Sequence, residues 1–171
     1  MCMPTTLHAA MIMGSLGPNL CVDSQSTTIG TKLKQYGCSG SPTQLFNLVP
    51  SSAGYYTITD SAGNCWDLTG RGTSGGTLVE MWTCNGGANQ QFAMSYSQAQ
   101  NGWLIKPFPL PSMCVDITGG SSANGAAVEI WSCNGGLGQL FKFVASTVVA
   151  TGKYRLDTIG PFGRFNIAAY V

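Results

Sequence analysis

Six cysteines fall into three pairs, Cys21 with Cys38, Cys65 with Cys84, and Cys114 with Cys133, separated by 17, 19 and 19 residues. That regularity constrains the chain more than any bulk property, because a sequence unit recurring at a fixed period folds as a recurring structural unit. The first unit reads Asn19-Leu20-Cys21-Val22-Asp23, then Leu33-Lys34-Gln35-Tyr36-Gly37-Cys38, then Gln44-Leu45-Phe46. The second reads Asn64-Cys65-Trp66-Asp67, then Val79-Glu80-Met81-Trp82-Thr83-Cys84, then Asn89-Gln90-Gln91-Phe92. The third reads Met113-Cys114-Val115-Asp116, then Val128-Glu129-Ile130-Trp131-Ser132-Cys133, then Gln139-Leu140-Phe141. Phe46, Phe92 and Phe141 set periods of 46 and 49 residues.

Between these anchors, alternating runs such as Tyr55 to Thr59 and Trp103 to Lys106 read as strands, bounded by Gly, Asn, Ser and Pro clusters. Four strands per unit give twelve short strands with no helical periodicity. Closing them with threefold symmetry leaves few free edges, which favours an all-β trefoil over a sandwich. The expected organisation is a trefoil over residues 1–145, with lobes at about 7–50, 51–97 and 98–145, and an extension at 146–171. In that extension Tyr154 to Ile159 and Arg164 to Ile167 flank Gly160-Pro161-Phe162-Gly163, which reads as an extra hairpin. It is a candidate surface for a protein partner, or a cover for the first strand near His8 to Met13.

Disulfides closing loops of this length each contribute about 3 kcal/mol in the chain-entropy model. They imply a secreted or other oxidising location. Zinc is the competing use of cysteine, but such sites want ligands two to four residues apart, and the chain has no C-x-x-C and a single histidine, His8. Cys2 has no counterpart in the repeat and is free, paired to another chain, or at a boundary. No metal and no cofactor motif is present.

Only 9% of residues are charged and the formal net charge is +1. A basic face able to neutralise phosphates is therefore missing, which argues against nucleic acid as a partner. No apolar run reaches the ~18 residues of a membrane span, so a soluble protein is expected. Met1 to Gly14 lacks a basic leader region and reads as a first strand, so any signal has been removed or the chain is an internal segment.

The repeated Cys-x-Asp, the aromatic two residues before the second Cys and the Gln-x-aromatic together resemble the ricin-B-type lectin family, the β-trefoils with Gln-x-Trp repeats. The resemblance spans about Leu20 to Val144. It differs in placing Phe46, Phe92 and Phe141 where the family has Trp, a core substitution. What it implies is one shallow sugar pocket per lobe. The second lobe would offer Asp67, Glu80, Trp82, Asn89 and Gln90. The third would offer Asp116, Glu129, Trp131 and Gln139, with Gly138 in place of Asn and one hydrogen bond either missing or moved to Asn134. The first has Asp23, Tyr36 and Gln44, with Lys34 and Thr43 at the remaining positions. The lobes rank second, third, first.

These residue types suit a hexose, whose rim of hydroxyls meets a carboxylate and an amide while its C–H face lies on an indole. Each also has a plainer use. Asp after a strand cysteine serves in turns. The Trp residues fit partly buried packing, the Gln residues fit buried bonds to backbone, and Glu80 and Glu129 fit solvated strand positions. Their joint recurrence at fixed offsets favours sites. Only seven carboxylates are present and five lie in the repeats. A glycosidase needs two flanking one bond, and threefold repetition suits binding better than catalysis. The expected function is lectin-like binding of galactose, N-acetylgalactosamine or related glycans, without catalysis. The alternatives are an interaction subunit with vestigial sugar sites, or a binding module detached from a glycan-degrading enzyme.

Overall fold

The computed structural model describes residues 6–51, 54–148, 154–159 and 165–167. Cys2 lies outside the described residues, as do 160–164 and the side chains of the tail that were expected to form a partner surface.

The first lobe contains β1 (Leu7–Gly14), β2 (Leu20–Asp23), β3 (Lys34–Gly37) and β4 (Phe46–Pro50). The second contains β5 (Tyr56–Thr59), β6 (Cys65–Leu68), β7 (Thr77–Trp82) and β8 (Phe92–Ser97). The third contains β9 (Gly102–Pro107), β10 (Met113–Ile117), β11 (Val128–Ser132) and β12 (Phe141–Val148). Beyond it, β13 (Tyr154–Ile159) pairs antiparallel with β12 and with β14 (Phe165–Ile167).

Strands β1, β4, β5, β8, β9 and β12 pair in a closed ring: β1 with β4 and β12, β4 with β5, β5 with β8, β8 with β9, and β9 with β12. Closure removes the barrel's edges. The hairpins β2–β3, β6–β7 and β10–β11 cover one end, and they interlock: β7 pairs with β11, Lys32 bridges Glu80, and Lys34 bridges Ala127. This is the β-trefoil.

Its core follows from the repeat. Phe46, Phe92 and Phe141 open the closing strand of each lobe and are fully buried. The residue after each first cysteine also points inward, as Val22, Trp66 and Val115. Trp66 is the outsize member, and it packs edge-on to Phe46 at 5.4 Å and Phe92 at 6.0 Å between ring centroids. The three expected disulfides, Cys21–Cys38, Cys65–Cys84 and Cys114–Cys133, span Cα separations of 5.0 to 5.1 Å. Each ties the strand carrying the Asp to the end of the strand carrying the aromatic. That fixes both faces of a candidate pocket. Three disulfides fit an oxidising environment.

Candidate functional site

Each lobe builds the same polar clasp from its glutamine. A short 3-10 turn, Pro42–Gln44, Ala88–Gln90 or Leu137–Gln139, delivers that side chain behind the repeated aspartate. Its Nε2 donates to the inner carboxylate oxygen, Gln44 to Asp23 at 3.0 Å, Gln90 to Asp67 at 2.7 Å and Gln139 to Asp116 at 2.8 Å. The same nitrogen donates to the carbonyls of Gly37, Thr83 and Ser132 at 2.9, 2.9 and 3.0 Å. Its Oε1 accepts from the backbone N–H of Ser39, Asn85 and Asn134 at 2.7, 2.8 and 2.9 Å. Gln44, Gln90 and Gln139 are fully buried, which matches the plainer of their two uses, buried bonds to backbone, and their amides also hold the carboxylates in place.

The outer carboxylate oxygen separates the lobes. Asp23 Oδ1 accepts from the Gln25 N–H at 2.6 Å, and Asp67 Oδ1 accepts from Asn89 Nδ2 at 2.8 Å. Asp116 Oδ1 has no hydrogen-bond partner among the described residues. Gly138 takes the place of Asn89, and a Cβ there would stand 2.7 Å from that oxygen. Among the described residues Asn134 makes no hydrogen bond to Asp116; its Oδ1 accepts from the Gly136 N–H at 2.7 Å.

Strand register brings the remaining groups together. Asp67 lies opposite Glu80 and Asp116 opposite Glu129, with Trp82 and Trp131 two residues further along the same strand faces. In the first lobe Asp23 faces Lys34 and Tyr36 stands half-buried, so no second carboxylate is present. Glu80 and Glu129 are buried rather than solvated, because the neighbouring lobe's hairpin packs against them. Trp82 and Trp131 are 41% and 47% exposed.

Support for those rings comes from the preceding lobe, which sequence reasoning missed. Gly30 lies under Trp82, with a Cβ position 3.6 Å from the ring, and Gly75 lies under Trp131 at 2.9 Å. Gly125 meets the Tyr36 hydroxyl at 3.7 Å. The loops are pinned by N–H donation from Gly30, Gly76 and Gly125 to the carbonyls of Met81, Ile130 and Gln35 at 2.7, 2.9 and 2.7 Å. All three glycines have positive φ, near +86°, +89° and +87°. A signal was available: each stands eight residues before its lobe's second cysteine.

Charge further divides the second and third lobes. Lys32, from the first lobe, forms an ion pair with Glu80 and donates to Thr69 Oγ1 at 3.0 Å. Burial lifts the Asp67 carboxyl above its ordinary range; the amides of Gln90 and Asn89 oppose this, Glu80 adds to it, and Arg71 subtracts. Burial likewise lifts Glu129, opposed by a hydrogen bond from Thr118 and reinforced by Asp116.

In the third lobe these groups open into a hollow of about 500 Å³, floored by Asp116, Glu129 and Thr118 and walled by Trp131, Leu137 and Leu16. Leu137 is 54% exposed. A smaller hollow of about 200 Å³ is lined by second-lobe residues that include Arg71 and Asn89, with Phe108 and Leu110 of the third lobe, and its lining does not include Trp82.

The protein-family model described as ricin-type beta-trefoil lectin domain-like matches residues 15–82 and 60–131. Among solved structures, the designed threefold-symmetric protein ThreeFoil is 25% identical with a TM-score of 0.73, over 78% of this chain and 96% of its own. An exo-beta-1,3-galactanase from Clostridium thermocellum is 24% identical with a TM-score of 0.74, over 84% of this chain and 31% of its own. The ricin B-like lectin of Macrolepiota procera, solved with lactose, is 17% identical with a TM-score of 0.65, over 78% of this chain and 93% of its own. Comparison with curated protein sequences gives no match. The threefold scaffold and the family match together place the chain in the ricin-type beta-trefoil lectin-like family.

Proposed function

We propose that the protein is a non-catalytic carbohydrate-binding module of an oxidising, extracellular setting, and that its leading site is the third-lobe hollow. The observation that carries this reading is the meeting, in one open hollow, of a carboxylate oxygen without a hydrogen-bond partner among the described residues and an exposed indole, Asp116 Oδ1 and Trp131. A galactose or N-acetylgalactosamine unit laid on Trp131 presents its hydroxyls to that oxygen and its apolar face to the ring. Asp67 and Asp116 each have their inner oxygen committed to a glutamine, so the outer oxygen is the acceptor each has left to offer a ligand. The second lobe ranks behind the third on this reading. Its outer oxygen is already bonded to Asn89, and its Glu80 is held by Lys32.

A single hollow of this size binds weakly, because few ligand atoms are contacted and ordering offsets the gain. Two hollows on one rigid trefoil raise retention on a glycan-coated surface by avidity. Two similar structures support a glycan partner by what they were solved with: lactose for the Macrolepiota lectin and a sialylated lactosamine epitope for the Polyporus squamosus lectin. The test is retention on immobilised glycans. Trp131→Ala is expected to reduce retention more than Trp82→Ala, and the double substitution more than either. Undiminished retention of the double variant on every glycan bound by the parent overturns the assignment.

A further inference from the structure

The geometry points to a saccharide carrying a free primary ammonium, a cationic amino sugar, as the preferred ligand of the third-lobe hollow. This rests on the carbohydrate reading and narrows it to a ligand class.

The second lobe supplies the template. There an ammonium, Lys32 Nζ, sits against the Glu80 carboxylate and the Thr69 hydroxyl. Lys32 reaches them because its backbone lies directly across from Glu80. In the third lobe the corresponding acceptors are Glu129 and Thr118, which are hydrogen-bonded to each other. The residue across from Glu129 is Leu78, which has no charge to offer. A second cation is replaced in the same way. Arg71, whose charge acts on Asp67, stands four residues after that aspartate, and Gly120 stands four after Asp116. Both adopt a left-handed backbone, at φ near 58° and 60°.

The third hollow therefore keeps both carboxylates of the repeat and loses both cations. Asp116 and Glu129 are only 8% and 9% exposed, yet both line the hollow, and the outer oxygen of Asp116 has no partner among the described residues. Burying two like charges side by side is unfavourable unless a counter-charge arrives. A ligand ammonium at the place Lys32 Nζ takes in the second lobe supplies it, bonded to Glu129 and Thr118. The exposed face of Trp131 adds a cation–π component for the same charge. An N-acetylated sugar brings no charge to this position.

The test compares galactosamine, N-acetylgalactosamine and galactose by titration calorimetry, at a pH where the amine is protonated and at low salt. Galactosamine is expected to bind the parent protein roughly tenfold more tightly than galactose, the scale of one charge-assisted contact. Leu78→Lys places a lysine across from Glu129 as Lys32 stands across from Glu80, and is expected to bring that ratio close to one, with galactose affinity held within about twofold. Glu129→Gln gives the same readout without adding a side chain at the lobe boundary and is expected to narrow the ratio similarly. If galactose and N-acetylgalactosamine bind but galactosamine binds no better, or its advantage survives both substitutions, this inference is overturned and carbohydrate binding stands. If no saccharide binds, the carbohydrate reading falls and takes this inference with it.

Discussion

Replacing Gln90 with Leu removes the amide that holds Asp67 in place while leaving a side chain of similar volume in a fully buried slot. Three hydrogen bonds are lost: Nε2 to Asp67 Oδ2 at 2.7 Å, Nε2 to the Thr83 carbonyl at 2.9 Å, and Oε1 from the Asn85 N–H at 2.8 Å. A bond to a charged partner is worth about 1.5–3 kcal/mol and each neutral one about 0.5–1.5 kcal/mol. The two backbone groups are only partly buried and recover some hydration, so the expected cost is about 3 kcal/mol at pH 7. For a chain of this size that lowers the melting midpoint by roughly 6–12 °C. Asp67 also loses the donor that most strongly opposes its desolvation, so its carboxyl rises further above its ordinary value. The charged form is the one harmed. The deficit is therefore full at pH 7 and narrows as the pH is lowered through the titration of Asp67. Urea unfolding followed by tryptophan fluorescence at pH 7 and pH 4 measures both effects. Gln91→Leu is the control, because that side chain makes only a long 3.4 Å bond to the Gly86 carbonyl and a second at 3.4 Å from Ser51. A Gln90→Leu deficit no larger than that of Gln91→Leu would refute the idea that these glutamines organise the site.

Glu129 gives a second pH-dependent outcome. Its carboxyl is raised above the ordinary 4.5 in the folded protein, so between the two values the native state holds a proton that the unfolded chain has released, and stability falls as pH rises through that window. Glu129→Gln removes the penalty, so the variant should exceed the parent in unfolding midpoint at pH 7 and lose that advantage below about pH 4.5; an advantage independent of pH counts against the assignment. Gly75→Ala tests the support beneath Trp131. Its Cβ position is 2.9 Å from the ring, and carbon contacts settle at about 3.5 Å or more, so the indole must retreat by about 0.6 Å. Gly75 lies outside the left-handed region, so backbone strain does not confuse the result. Glycan affinity should drop several-fold while stability changes by less than about 1 kcal/mol, and unaltered affinity would show that the ring's position does not matter.

The residues that repeat within a lobe were readable in advance because their offsets are short and their geometry is local. A strand pair closed by a disulfide, as Cys65–Cys84 closes β6 and β7, fixes which residues face one another, so Asp67, Glu80 and Trp82 had to share a face once the hairpin formed. The trefoil followed from counting three such units, with Phe46, Phe92 and Phe141 marking their inner ends. The tie between Gln90 and Asp67 was less legible. An amide can face solvent or backbone, and only burial decides which.

What the sequence determined by itself was the repeat: three disulfide units, an all-β trefoil, and the recurrence of an acid and an aromatic at fixed offsets. Tertiary structure alone decided how the units differ. Lys32 reaches Glu80 across 48 residues of chain, Gly75 supports a ring in the next lobe, and Leu16 walls a hollow belonging to the third. These contacts exist only because the barrel closes and sets each hairpin against its neighbour. Ring closure converts small departures from the repeat, such as Lys32 against Leu78 or Asn89 against Gly138, into pockets of different charge and openness.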